Sequence, residues 1–162
     1  MMNYHFNPFR TSVLKSKLLL LVAGMNLFSC LSYSQSPGKG ETVEFINKVL
    51  GERIQVELKT GTILVSFRDE NGNLLREDKA PSPDLDLTIT YEPEDKLLCI
   101  PCMKDQPECV TRTLVVQKIK RGYGRLSIPV ASEKDFYSLQ KAFDHLIRIL
   151  SENKYKDAIT LD

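Results

Sequence analysis

The chain has 162 residues, with 22 basic and 21 acidic side chains and a formal net charge of +1. This balance argues against binding to bulk nucleic acid, which requires a strongly basic face. The length fits one domain, and the chain contains no internal repeat or low-complexity tract that would predict a solenoid or a disordered protein.

The first 35 residues have the pattern of an export signal. Arg10, Lys15 and Lys17 are their only charged residues, and the apolar run 18–28 follows directly. This segment of eleven residues is too short to cross about 30 Å of hydrocarbon as a permanent helix. We therefore predict a signal peptide over residues 1–35.

Two processing routes stay open at the end of this segment. Ser32 and Ser34 occupy the small-residue positions before a cut at Gln35, which favours ordinary cleavage. Alternatively, "LFSC" at 27–30 resembles the lipobox of bacterial lipoproteins, which implies an acylated Cys30. Both routes predict an exported protein, periplasmic or secreted, or an outer-membrane lipoprotein if Cys30 carries lipid. Without residues 1–35, 19 basic and 21 acidic residues give a net charge of −2.

The exported chain is expected to begin with a flexible leader at 36–40, followed by a single domain at 41–152. Apolar side chains in 41–52 recur at spacings of three and four, which predicts a short amphipathic helix, with Gly51 as its stop. These side chains are Val43, Ile46, Val49 and Leu50.

From Arg53 onwards apolar and polar residues alternate, as in strands with one wet face. The alternation predicts paired strands at 54–58 and 63–67, joined by a turn at Thr60-Gly61. Asn71-Gly72 predicts a tight hairpin turn into a strand at 74–78. A further strand is predicted where apolar side chains alternate again, at Leu85, Leu87, Ile89 and Tyr91.

The second half of the chain predicts more strands and one long helix. A strand at 96–101 precedes the cysteines, and a long strand at 110–120 is expected to turn through 121–124 into a strand at 125–130. Pro129 predicts an edge position for this last strand, because proline cannot donate to a ladder.

The final helix is predicted from Ser132, whose side chain can cap its start with Asp135 three residues later. Residues 153–162 are expected to be a polar tail. One continuous apolar stripe should pack on the sheet; it contains Phe136, Leu139, Phe143, Leu146, Ile147 and Leu150.

The predicted fold class is α+β: a short helix, about seven antiparallel strands in a bent sheet or partial barrel, and an amphipathic C-terminal helix. The order over 53–151 resembles the pleckstrin-homology-like superfold, in which a C-terminal helix seals a bent seven-stranded sheet. It is also similar to small exported Gram-negative bacterial proteins of uncharacterised function. A superfold resemblance implies no activity by itself.

Three cysteines lie close together in "CIPCMKDQPEC", at Cys99, Cys102 and Cys109. A structural zinc site requires four ligands. His145 is the only histidine after residue 35, and it lies far away in the final helix, where we expect it to be a solvated surface residue. We therefore predict no metal and no cofactor.

Two other interpretations of the cysteines are open. Cys99-Ile-Pro-Cys102 resembles the Cys-Gly-Pro-Cys of thioredoxin-like proteins, which implies a thiol-disulfide redox enzyme, although Pro107 stands where that family has a helix. In an exported protein a structural disulfide is the stronger expectation. We favour Cys102–Cys109, with Cys99–Cys109 as the alternative and one thiol left over.

A basic segment around Tyr123 completes the candidates. A cationic hairpin with an aromatic tip can hold an anionic polymer, although cationic residues also protect sheet edges from aggregation. We predict a non-enzymatic binding or accessory module of the cell envelope or extracellular space. Its partner is expected to be an envelope protein or an anionic glycan, not nucleic acid, and it would touch a membrane only through a lipid anchor at Cys30. The anion-binding residues are predicted to be Lys118, Lys120, Arg121 and Arg125.

Overall fold

The computed structural model describes the backbone of residues 36–159 and the side chains of residues 36–152. The predicted signal peptide at 1–35 and the lipidation at Cys30 lie outside the described residues. Within the described part, the α+β class is confirmed: two helices accompany eight strands in two antiparallel sheets.

The elements follow one another with short connections, and a single turn of 3-10 helix lies at Ser82–Asp84. The helices are α1 (Lys39–Leu50) and α2 (Glu133–Ile159). The strands are β1 (Ile54–Lys59), β2 (Thr62–Arg68), β3 (Leu74–Pro81), β4 (Thr90–Glu92), β5 (Leu97–Pro101), β6 (Val110–Leu114), β7 (Ile119–Tyr123) and β8 (Arg125–Pro129).

The larger sheet has the order β1-β2-β3-β6-β7, and the smaller one has the order β4-β5-β8. One hydrophobic core joins side chains from both sheets and both helices. The predicted apolar stripe of α2 is confirmed, because all six of its side chains are buried in this core. β8 is an edge strand, as Pro129 predicted.

The predicted turns near the start of the chain are present. Thr60 and Gly61 have φ values of 47° and 76° between β1 and β2, and Gly72 has a φ of 82° between β2 and β3. The predicted cap of α2 is also present, since the Asp135 N–H donates to Ser132 Oγ at 3.2 Å. Local turn chemistry therefore determines where these elements begin.

The strand predicted across Leu85 to Tyr91 is wrong for most of its length, because only Thr90–Glu92 forms β4. The Asp86 carboxylate accepts hydrogen bonds from the Thr88 N–H at 2.9 Å and the Thr88 hydroxyl at 2.8 Å. Such local bonds compete with a ladder. The alternation still identified inward side chains, since Leu85 and Ile89 are buried.

The long strand predicted at 110–120 is also wrong, because the chain reverses at 115–118 and β7 pairs back on β6. Val115 and Val116 favour strands by propensity and hid this turn. Lys118 closes it with a φ of 56°. The hairpin predicted at 121–124 is absent as well, since Gly124 leads directly from β7 into β8 of the other sheet.

Both helices are longer than the sequence predicted. α1 begins at Lys39, inside the expected leader, and the Gly38 N–H donates to the Glu41 carboxylate at 2.9 Å. The backbone of α2 continues to Ile159, through most of the expected polar tail. The apolar stripe therefore ended before the helix did.

Candidate binding surface

Strand β7 forms the outer edge of the larger sheet, and every residue in it except Tyr123 is exposed. Lys118, Lys120 and Arg121 place three cations within four positions here, and we call these three residues the cationic edge. None of them forms an ion pair with a carboxylate of the described residues. The charges of these three residues are therefore not held in direct ion pairs within the described part of the chain.

The backbone of β7 offers hydrogen-bonding groups on its outer side. The Val115 N–H donates to the Leu75 carbonyl at 2.9 Å, so the backbone groups of Val115 face β3. The preceding residue, Leu114, pairs with Arg76 without hydrogen bonds, and its own N–H and C=O groups therefore face β7. Because these directions alternate along antiparallel strands, Lys120 and Gly122 direct their N–H and C=O groups away from β6. No strand of the described chain lies on that side.

A cysteine loop braces the C-terminal end of β7. Cys102 and Cys109 form a disulfide with a Cα–Cα distance of 5.7 Å, and the Cys102 N–H donates to the Gly124 carbonyl at 2.9 Å. A Cβ built on Gly122 would lie 2.6 Å from Glu108 Oε2. A Cβ on Gly124 would lie 2.9 Å from the Pro107 carbonyl oxygen. The loop can approach this closely only because both positions are glycine.

The disulfide is the pair that the sequence analysis favoured, and the alternative Cys99–Cys109 bond is not formed. Cys99 is the leftover thiol, buried in β5. Burial raises the pKa of the Cys99 thiol, against a smaller opposing effect of the Arg125 charge. An attacking thiolate requires a lowered pKa and access to its substrate. Neither condition for redox chemistry is met at Cys99.

Arg125 does not share the free charge of the cationic edge. Its guanidinium forms a bidentate ion pair with the Glu92 carboxylate, and this hydrogen bonding raises the pKa of Arg125. Arg125 begins β8, in the smaller sheet, and it is half exposed. Three of the four predicted anion-binding residues therefore come together, while Arg125 belongs to an ion pair.

A buried charge network lies behind the cationic edge, and the sequence analysis did not identify it. The fully buried Asp78 carboxylate accepts hydrogen bonds from Arg76 at 3.0 and 2.6 Å and from Arg112 at 2.9 Å for both oxygens. Arg76 also donates to the Ser127 carbonyl in β8 at 2.7 Å. The network thus ties β3, β6 and β8 together.

Aromatic rings complete this network. The Arg76 guanidinium lies 3.9 Å from the Phe67 ring centroid, and the Arg112 guanidinium lies 4.2 Å from the Tyr123 ring centroid. Planar guanidinium groups both stack on rings and bind carboxylates bidentately, as lysine cannot. The sequence contained a signal for this network. Arg76, Asp78 and Ala80 occupy every second position of a strand and therefore share one face, so two charged residues are placed on the same side as an apolar one.

A concavity of about 420 Å³ lies between α1 and α2, and Phe45, Ala142 and His145 are among the residues that line it. His145 was expected to be a solvated surface residue. Instead it is half-buried, and its Nε2 lies 2.8 Å from the Pro37 carbonyl oxygen. This histidine therefore holds the start of the domain against α2. Its hydrogen bond is to a backbone carbonyl and not to a serine or cysteine that it could activate.

Within the described side chains, no group of three or more His, Cys, Asp or Glu residues is arranged to hold a metal ion. Neither α1 nor the described part of α2 combines the length and the apolar character needed to cross a bilayer. No protein-family model, curated protein or solved structure matches the chain. The two family resemblances drawn from the sequence stay predictions.

Proposed function

We propose that this protein is an exported, non-enzymatic binding module of the cell envelope or extracellular space, and that its cationic edge binds an anionic partner. The observation that carries the proposal is the position of Lys118, Lys120 and Arg121 at the start of the outermost strand, whose outer side pairs with no described strand and whose cations have no ion-paired carboxylate among the described residues. Such an edge offers charge and backbone groups at the same place.

Export is supported by the disulfide as well as by the signal-like segment at 1–35. Disulfides persist in oxidising compartments and are rare in the cytosol. The Cys102–Cys109 bond holds the loop that braces β7, so oxidation contributes directly to the shape of the proposed surface. A chain recovered from envelope or medium should therefore contain this bond and start near Gln35 or at a lipidated Cys30. Full-length chain with both cysteines reduced in the cytoplasm contradicts export.

The binding proposal is tested by reversing charges on two surfaces of the same protein. The edge variant combines Lys118→Glu, Lys120→Glu and Arg121→Glu. The control variant makes the same change in net charge at three exposed helix lysines, Lys48, Lys134 and Lys141. Heparin serves as the anionic glycan probe, and an acidic polypeptide as the protein probe, both at low salt.

We expect the edge variant to lose at least about tenfold in affinity for one of these probes, while the helix control changes by less than about twofold. The lost affinity should be the part that high salt screens in the wild-type protein. Equal losses in both variants would mean that only net charge matters. Unchanged binding by the edge variant would reduce the cationic edge to a solvated strand that resists aggregation.

A further inference from the structure

We infer that the outer side of β7 binds an extended acidic peptide segment of a partner protein, which adds a strand to the larger sheet. This inference rests on the proposed function and specifies its partner class. In strand addition, main-chain hydrogen bonds provide affinity and alternate side chains provide specificity.

The backbone of β7 carries the first step. Lys120 and Gly122 direct two N–H donors and two carbonyl acceptors outward, at the alternate spacing of an antiparallel ladder. The five residues of β7 extend over about 17 Å, enough for such a short ladder. A glycan can neutralise the lysines, but it cannot reproduce this alternation of donors and acceptors. A peptide backbone can.

The other three edge strands are less suited than β7 to pair with an added strand. At β1, the Asn47 side chain bonds both backbone groups of Val56, at 2.6 Å and 2.9 Å. At β8, Pro129 lacks an N–H and the Ser127 carbonyl is used by Arg76. The remaining edge, β4, has only three residues. Among the described strands, β7 alone combines length, exposure and unoccupied outward groups.

Charge selects the occupant. A second copy of β7 paired against the first would bring two cationic edges together, and like charges opposite one another destabilise a sheet. An acidic strand gains instead, because carboxylates on one of its faces would lie beside Lys120, whose side chain is on the opposite face of β7 from Arg121. Ile119 is 37% exposed on the other face of β7, so an apolar side chain of the partner would contact it there. The favoured ligand therefore alternates acidic and apolar residues.

The test uses a synthetic peptide of alternating glutamate and valine and two N-methylated forms, methylated at odd or at even positions. Each form loses the N–H donors along one side of the peptide. We expect one form to bind like the parent and the other to bind at least about tenfold more weakly, because only one side pairs with β7. Amide hydrogen exchange of Lys120 and Gly122 should slow when the parent peptide binds.

Two protein variants examine the same contact from the other side. Lys120→Gln removes the charge, whereas Lys120→Pro removes both the charge and an N–H that β6 does not use. We expect the proline variant to bind the peptide at least about fivefold more weakly than the glutamine variant, with a cooperative thermal transition retained in both. If the proline variant does not fold, the N-methylated peptides still test the contact on the wild-type protein.

Failure of the inference and failure of the proposed function give different results. If both methylated peptides bind like the parent, strand addition is wrong. If heparin binds in an edge-dependent manner and the peptide does not bind, the partner is a glycan and the proposed function survives. If the charge-reversed edge variant binds both probes as the wild type does, the proposed function itself fails.

Discussion

The two outer strands of the larger sheet are treated in opposite ways. At β1 the Asn47 side chain receives the Val56 N–H at 2.6 Å and donates to the Val56 carbonyl at 2.9 Å, so a helix residue takes the place of a neighbouring strand. At β7 no described residue does this for Lys120 or Gly122, and three cations surround the open groups. One edge is closed by hydrogen bonds, whereas the other is protected by charge alone.

This difference shows how an edge can be soluble and still selective. The Asn47 side chain occupies the central outward-facing backbone groups of β1, and this contact does not depend on the charge of a partner. A cationic edge excludes copies of itself and neutral aggregating strands, but it leaves acidic partners free to bind. The β7 edge is thus the one where protection from aggregation and recognition of a partner can use the same residues.

The largest effect is expected from a substitution at Asp78, whose arginine partners connect the β7 half of the larger sheet to the rest of the fold. Asp78→Ala leaves Arg76 and Arg112 without their carboxylate in a mostly buried site, and breaking such a pair typically costs about 3–5 kcal/mol. Because these arginines join β3, β6 and β8, we expect a loss of this size in the free energy of unfolding, measured by urea denaturation. Amides of β6 and β7 should lose more exchange protection than those of β1 and β2.

Glu77→Ala is the matched control, since Glu77 is the next acidic residue in the same strand and pairs with the exposed Lys79 at 3.0 Å. Surface pairs of this kind contribute about 0–1 kcal/mol. Similar losses in both variants would show that Asp78 has no special role. Equal deprotection of β1 and β7 would show that the network does not distinguish the two edges.

The second test removes the brace under the β7 edge. The Cys102–Cys109 bond closes a loop of eight residues, for which the chain-entropy estimate is about 2.5 kcal/mol. Replacing both cysteines by serine should lower the free energy of unfolding by about this amount, and exchange should increase at Gly122 and Gly124 before it increases at Val56. Asp105→Ala, in the same loop with its disulfide intact, is the control. A uniform increase at both edges would contradict the bracing role.

The sequence predicted the parts of this fold that depend on local chemistry. The paired glycine turns, the capped start of α2 and its apolar stripe each follow from a few neighbouring residues, and all are present. The disulfide was favoured because Cys102 and Cys109 flank a short loop before a strand. In contrast, the 115–118 turn has no glycine or proline, so its two valines read as a continuous strand.

The binding surface was predicted only in part, for reasons of distance along the chain. Lys118, Lys120 and Arg121 are neighbours in sequence, so their clustering needed no tertiary information. Glu92 lies 33 residues before Arg125, and only the pairing of β4, β5 and β8 brings them together. The contact of Asn47 with Val56 was missed for the same reason, because the sequence around a polar helix residue does not indicate which strand it will contact.

The smallest effect on stability is expected from a substitution at Asn47, which removes the hydrogen bonds that distinguish the β1 edge from the β7 edge. Asn47→Ala removes both side-chain bonds to Val56 and opens the β1 edge. Each hydrogen bond contributes about 0.5–1.5 kcal/mol net, so the free energy of unfolding should fall by about 1–2 kcal/mol. Exchange of the Val56 amide should rise toward that of Lys120, as measured by NMR.

Asn47→Asp provides the sharper control, because it keeps an acceptor for the Val56 N–H and loses the donor to the Val56 carbonyl. Its Val56 amide should therefore stay protected although stability falls. Opening β1 also creates an edge without the cations of β7, since its exposed charges, Glu57 and Lys59, are of opposite sign and pair with each other. We expect Asn47→Ala to self-associate as concentration rises in sedimentation experiments, while the wild type, with its cationic β7, does not. If Asn47→Ala stays monomeric and Val56 stays protected, α1 covers the edge by packing alone, and the two edges differ in burial rather than in hydrogen bonding.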